Sequence, residues 1–372
     1  MNENPVITVC GAGAGAMATA GDLVFKGFKV NLYEVPALKK NLDPIRENGG
    51  ITVTGNTSSG KTGLAKLNLI TSDPAEALRG SDLILVNVPA VNVDSFIETL
   101  APHFQQGQTV VVTTGYWASL RCQKILQAAG TADKINFAEF TIMPYLCDKD
   151  GAAEVHVGNY KRELIMSAFP ASKREAAYEV VSKAYPQTKL ARDILAVNLQ
   201  PGNPGVHVQI TLPRSAFFFE RAKVFRFYGE VSHCASRLTD AHDRERMAIA
   251  AALGCETRTW PEYCRAVYEY KGENLYELTA TYTDPHQQRW SGVEEAERLL
   301  VEDICYSFIP MEQLGKLVGV PTPVTTAMID LTAVYSGFDY RAHGVTLEHL
   351  GFGGMSREQI LDFVANGVPS KK

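Results

Sequence analysis

Three residues in the second half of the chain have the side chains that 2-oxo-acid chemistry demands: His207, Arg298 and Asp303. A histidine takes and gives protons near neutrality. An aspartate can hold that imidazole in one tautomer, and an arginine can grip a carboxylate through two parallel hydrogen bonds. Reduction of a 2-oxo acid, or of an imine made from one, requires this combination. His207 closes the turn-like stretch Asn203-Pro-Gly-Val-His207, and Arg298 and Asp303 share one run of helical pattern. Spacing alone does not separate this reading from a structural histidine, which is the commoner case.

A second constellation opens the chain. Val6, Ile7 and Val9 form a β-branched run that feeds into Gly11-Ala12-Gly13-Ala14-Gly15-Ala16, followed by an amphipathic stretch to about Phe25 and a further strand, Val30–Leu32, ending at Glu34. This is a complete βαβ unit of the dinucleotide-binding kind. Gly11 permits the tight turn, Gly13 lets backbone N–H groups approach a pyrophosphate, and Ala16 takes the third small position. Ala14 opens the helix, whose N-terminal N–H donors and dipole favour phosphate. Glu34 stands about twenty positions beyond Gly11, where an acid hydrogen-bonds an adenosine ribose. NAD is therefore expected over NADP, with Lys39, Lys40 and Arg46 close enough to soften the preference. Val88-Pro89 and Thr114-Gly115 follow later apolar runs, where backbone commonly borders such a cofactor.

These sites need a scaffold. Leu83–Val88 and Thr109–Thr113 are continuous apolar runs, as in buried parallel strands. Ile51–Val53, Leu67–Ile70 and Ile135–Thr141 also read as strands. Ala153–Gly158 and Arg162–Ala168 read as a β pair, with helices over Val93–Leu100, Ser119–Ala129 and Ser172–Ala184. The alternation implies a doubly wound parallel sheet over residues 1–190. Beyond that point helical periodicity dominates: Arg214–Gly229, His242–Leu253, Trp260–Tyr270, Glu294–Tyr306, Met311–Val318 and Thr325–Tyr335. Residues 191–372 are expected to form an all-α substrate domain, with nicotinamide and substrate at the junction.

Gly55-Asn-Thr-Ser-Ser-Gly60-Lys61-Thr62 matches the phosphate-loop pattern letter for letter. That motif requires a long helix from the Lys-Thr. Here the following residues alternate as in a strand and stop at Thr71-Ser72-Asp73-Pro74, so a hairpin tip is favoured. The charge balance, −5 with a pI of about 6.0, argues against nucleic-acid or membrane-surface partners. No apolar run reaches the length of a membrane span. The seven cysteines form no CxxC pair and no metal spacing, which suits reduced thiols in the cytoplasm and no metal site.

Over nearly its whole length the sequence resembles the opine dehydrogenases. Glu139 and Pro144-Tyr145 stand where the family has its Glu-Thr…Pro-Tyr/Phe segment, and Phe227-Tyr228-Gly229-Glu230 is similar to its FYxEG stretch. Glu302-Asp303 and the block from Ile309 to Pro323 resemble its ED…VPLSELGR…VPTP region, and Thr346–Gly351 its closing segment. The resemblance implies that His207 is the catalytic histidine, with Asn203 four residues before it. It makes Asp303 the acidic partner and Arg298 the ligand of the oxo-acid carboxylate. The implied reaction is NAD(P)H-dependent reductive condensation of an amino acid's α-amine with a 2-oxo acid such as pyruvate, in a homodimer. Val208 replaces the family's proline after the histidine, and Thr113–Ser119 departs from its usual loop. Glu139 and Tyr116 are candidate substrate contacts, as are Trp117 and the stretch of Tyr282, Arg289 and Trp290. The competing readings are a hydroxy-acid dehydrogenase of related fold and a non-catalytic NADH sensor.

Overall fold

The computed structural model describes residues 5–219, 225–229, 231–281, 290–291 and 293–369. The chain divides into two compact units, one ending at Ile194 and one beginning at Leu195.

The first unit is built on an eight-stranded sheet. Six strands run parallel: β1 (Val6–Cys10), β2 (Lys29–Tyr33), β5 (Leu69–Thr71), β6 (Leu83–Val86), β7 (Thr109–Val112) and β8 (Asn136–Phe140). Their spatial order is β5-β2-β1-β6-β7-β8, the doubly wound order of dinucleotide-binding sheets. Beyond β8, strand β11 (Leu164–Phe169) lies antiparallel and β12 (Thr188–Leu190) parallel to β11. The apolar runs of β6 and β7 are fully buried, as strands covered on both faces must be. Strand order reverses between β1 and β6, which places the ligand crevice at Gly11 and Asn87.

A four-stranded sheet is inserted in this unit, in the order β4-β3-β10-β9: β3 (Ile51–Gly55), β4 (Gly63–Ala65), β9 (Tyr145–Gly151) and β10 (Glu154–Tyr160). The expected pairing of 153–158 with 162–168 is thereby corrected. Strand β10 pairs with β3 and β9, whereas β11 joins the large sheet against β8. β11 is buried at every position and completes the main core, while β10 buries only alternate side chains. The phosphate-loop lookalike is the tip of the β3–β4 hairpin. Asp22 of helix α1 (Ala14–Phe25) accepts from Ser58 Oγ at 2.5 Å and from Ser59 N at 3.0 Å, and Lys61 Nζ donates to Phe25 O at 3.2 Å. That lysine caps a helix C-terminus instead of cradling phosphate.

The second unit is helical among its described residues, apart from a short ribbon that pairs Phe225–Arg226 with Trp290–Ser291. The helix expected over 214–229 is therefore not continuous: Ser215–Phe219 is helical, and Phe225–Arg226 is a strand. Aromatic residues suit a strand's half-buried surface better than a helix, and Phe225 and Arg226 take that alternative. The long helix His233–Ala252 starts at Ser232, whose hydroxyl accepts from Ala235 N, and Thr259 and Glu262 form a capping box on Trp260–Tyr268. Tyr282 and Arg289 lie outside the described residues, and so does the side chain of Trp290.

Candidate active site

The candidate nucleotide-binding residues of the first unit are positioned by local geometry. Gly11 has φ of +105°, and a Cβ there would stand 2.7 Å from Asn87 O and 3.1 Å from Val88 Cγ1. Only glycine fits, because both the backbone angle and the neighbouring strand end forbid a side chain. Gly13 is the N-cap of α1, no side chain caps the helix, and a Cβ on Gly13 would meet nothing within 4 Å. The N–H groups of Ala14, Gly15 and Ala16 have no intrahelical acceptor, and the space beside Gly13 is open. Such an arrangement fits a pyrophosphate. Ala16 is fully buried beneath Gly11, where the helix leaves the sheet.

Glu34 follows β2. Its Oε1 accepts from Val35 N at 3.0 Å and its Oε2 from Asn41 Nδ2 at 3.5 Å. Burial pushes its carboxyl above the usual range, against these hydrogen bonds and the nearby Lys149 charge. Val88 is half-buried and Pro89 exposed after β6, while Thr114 and Gly115 follow β7, with Gly115 N donating to Phe140 O at 2.9 Å. All four therefore sit at the carboxyl ends of the strands. Tyr116 and Trp117 adopt left-handed φ values of 46° and 64°. Each such conformation costs about 1–3 kcal/mol and is concentrated at functional sites. Both side chains are buried, and so is Glu139, whose Oε1 accepts from Ser119 Oγ at 3.1 Å. None of the three presents its side chain to solvent; they brace the turn after β7 from within.

The second unit brings His207 and Asp303 together across 96 positions of sequence. His207 opens the short helix His207–Thr211, and its Nδ1 lies 2.9 Å from Asp303 Oδ2. Both side chains are nearly inaccessible, 4% and 1% exposed. A carboxylate only accepts, so Nδ1 donates to it, and in the neutral imidazole Nε2 then holds the lone pair. Tyr228 Oη stands 2.9 Å from Nε2 and supplies its donor. The result is a chain Tyr228 O–H → His207 → Asp303, with Phe227 packed edge-on against the imidazole at 5.6 Å. Tyr228 entered the sequence reading only as part of a motif. It follows a ribbon rather than a helix, and no spacing rule pointed it at His207.

Asp303 is the last residue of the helix Val293–Asp303, and a π-helical turn, Ile304–Phe308, begins at once. Ile309 N donates to Ile304 O, five residues back, and Pro310 has no N–H to give Cys305 O in the same register. Cys305 O, released from the ladder, accepts from Val345 N at 2.8 Å. Such turns are frequent at functional sites, and this one carries the chain on into Ile309–Val318. Arg298 precedes Asp303 by five residues, which turns it about 140° around the helix. Its Nη1 donates to Glu302 Oε2 at 2.9 Å and its side chain is 46% exposed. Asn203 heads the 3-10 turn Asn203–Gly205 and is half-buried. The described contacts join His207 to Asp303 and Tyr228, and not to Arg298 or Asn203.

The family described as "NAD/NADP octopine/nopaline dehydrogenase, alpha-helical domain" matches residues 190–336, the stretch that holds His207, Tyr228, Arg298 and Asp303. An opine dehydrogenase of Arthrobacter sp. (strain 1C) is 29% identical over 359 residues, covering 96% of this chain and 98% of that protein. The chain is similar to opine dehydrogenases over nearly its whole length. It is an opine dehydrogenase-like, NAD(P)-dependent oxidoreductase acting on CH–NH donors. The fold agrees. Octopine dehydrogenase solved with NADH and L-arginine superposes with a TM-score of 0.75 at 19% identity, covering 99% of this chain and all of that one. Yersinopine dehydrogenase with NADP+ bound gives 0.68 at 13%, covering 98% and 99%. Among the described residues, no helix is long and apolar enough to cross a membrane, and no group of three metal-ligating side chains is placed to hold an ion.

Proposed function

We propose that this opine dehydrogenase-like enzyme catalyses the reversible reductive condensation of an amino acid's α-amine with a 2-oxo acid such as pyruvate. The observation that carries the assignment of roles is the Tyr228–His207–Asp303 chain, with His207 and Asp303 buried. His207 Nε2 takes a proton from the α-ammonium, freeing the amine to attack the oxo carbon. The same Nε2–H then protonates the carbinolamine oxygen, which leaves as water and yields the imine. Asp303 holds the Nδ1 proton throughout and stabilises the imidazolium between the two transfers. The reduced nicotinamide, when bound, supplies the hydride that reduces the imine carbon.

Gly11, Gly13, Ala14 and Ala16 would hold the cofactor's pyrophosphate, Glu34 its adenosine ribose, and Val88, Pro89, Thr114 and Gly115 would border it. Arg298 is proposed to bind the oxo-acid carboxylate. Glu302 engages it through one nitrogen, and a guanidinium has five N–H donors. Asn203 is placed beside it in the substrate region on the family likeness. Residues 1–190 are read as the dinucleotide domain and 191–372 as the substrate domain. The assembly is proposed to be a cytoplasmic homodimer, the compartment resting on seven free thiols and the dimer on family likeness.

The test is NADH consumption with pyruvate, with and without a mixed pool of amino acids. Consumption that needs both substrates supports condensation, and splitting the pool identifies the amine. Consumption with pyruvate alone makes the protein an oxo-acid reductase instead.

A further inference from the structure

The inserted sheet delivers a cation to the dinucleotide loop that the βαβ unit itself does not encode. Strand β9 runs along helix α1 in the opposite direction. Tyr145, at its start, donates to Asp22 Oδ2 at 2.7 Å, and Lys149, four residues on, donates from Nζ to Ala12 O at 3.4 Å. The spans agree: four strand residues cover about 13 Å, and the ten from Asp22 back to Ala12 about 15 Å of helical rise. The strand is held in place. At Gly21 the helix meets β3 so closely that a Cβ would stand 2.3 Å from Val53 Cγ2, and Lys149 is in register with Val155 of β10. Lys149 remains solvent-exposed above the loop, and its charge reaches the Glu34 carboxylate.

Glu34 by itself does little to repel a 2′-phosphate. It is 3% exposed, and both its oxygens already accept hydrogen bonds. Of the nearer cations in sequence, Arg46 is committed to Asp43 Oδ1 at 2.9 Å and to Ile70 O at 3.2 Å.

We infer that Lys149 is a cofactor-specificity residue: it binds the 2′-phosphate of NADP(H) beside Glu34 and makes the adenosine end accept both cofactors. This rests on the dinucleotide reading of Gly11–Glu34. Binding is therefore measured directly, without substrates, by titrating NADPH and NADH against intrinsic fluorescence of the full-length wild type and of Lys149→Ala and Lys149→Glu. Loss of one charge-assisted contact predicts a Kd for NADPH about tenfold higher in Lys149→Ala. Lys149→Glu is expected to be weaker still, with the Kd for NADH moving less than about threefold. Equal weakening for both cofactors, or no change for either, overturns the inference while leaving the proposed activity standing. Failure of the wild type to bind either cofactor overturns the inference together with the dinucleotide reading.

Discussion

The sharpest prediction concerns Asp303→Asn. A proton in transit makes His207 an imidazolium, and Asp303 Oδ2 lies 2.9 Å from its Nδ1, both side chains being nearly inaccessible. Two unit charges at that distance attract by about 5–6 kcal/mol when the effective dielectric constant is near 20. Asparagine keeps the shape and removes the charge. It can also present its NH2 to Nδ1, forcing the proton onto Nε2, where Tyr228 now donates. Part of the lost attraction returns through the amide dipole, so the net penalty on the transition state is put at about 3–5 kcal/mol, or roughly 10²–10⁴ in kcat. The same exchange in serine proteases, an unrelated scaffold, lowers kcat about 10⁴-fold. The assay is condensation turnover at saturating cofactor and substrates. NADH titration serves as the control, because every proposed cofactor residue belongs to the other unit. A kcat within about threefold of wild type, with NADH binding intact, would refute the idea that Asp303 stabilises a protonated His207.

Three further outcomes are expected. Tyr228→Phe removes the hydroxyl that occupies Nε2 in the resting enzyme, so the KM for the amino acid should fall about three- to tenfold while kcat changes little. A hundredfold loss of kcat would instead make Tyr228 a proton donor in the reaction. Gly11→Ala forces a side chain onto φ of +105° and into Asn87 O, so thermal melting should drop and NADH affinity should be lost; wild-type affinity would remove Gly11 from the cofactor loop. Asp22 governs acid stability. Burial raises its carboxyl, but hydrogen bonds from Ser58, Ser59 and Tyr145 and the Lys26 charge outweigh this and leave it lowered overall. A depressed folded-state value stabilises the fold above the ordinary carboxylate range, near pH 4, and that contribution fades as pH falls through the folded value. Asp22→Asn should therefore cost about 2 kcal/mol at neutral pH, and the gap to wild type should close in acid. A gap independent of pH would contradict the assignment.

What could be read from the sequence followed the range of the interactions. The glycine loop is legible because Gly11, Gly13 and Ala16 are fixed by backbone geometry within a single βαβ unit, so residue type and spacing carry the information together. The phosphate-loop lookalike shows the limit of that logic. Its letters are right, but Lys61 ends on Phe25 O and Ser58 on Asp22, contacts that only the packing of the hairpin against α1 supplies. The inserted sheet was illegible for a related reason. β3 pairs with β10 about a hundred residues away, and neither strand alone says which sheet it enters.

His207 and Asp303 face the same difficulty, 96 positions apart, and the family likeness picked them out where spacing could not. Likeness in turn carried only what relatives share as words. Tyr228 was a letter in a motif until the short ribbon turned its hydroxyl onto Nε2, and Lys149 belonged to no motif at all. Both reach their places through the parts of the fold that local pattern misassigned: the expected helix that gives way to a strand at Phe225–Arg226 and the strand pair that separated into two sheets. Misread elements and missed site residues therefore have one cause here. Where long-range pairing overrides local propensity, it also decides which side chains meet. The residues that tune this enzyme's proton transfer and cofactor choice are expected to lie there, outside the loop that announces the fold.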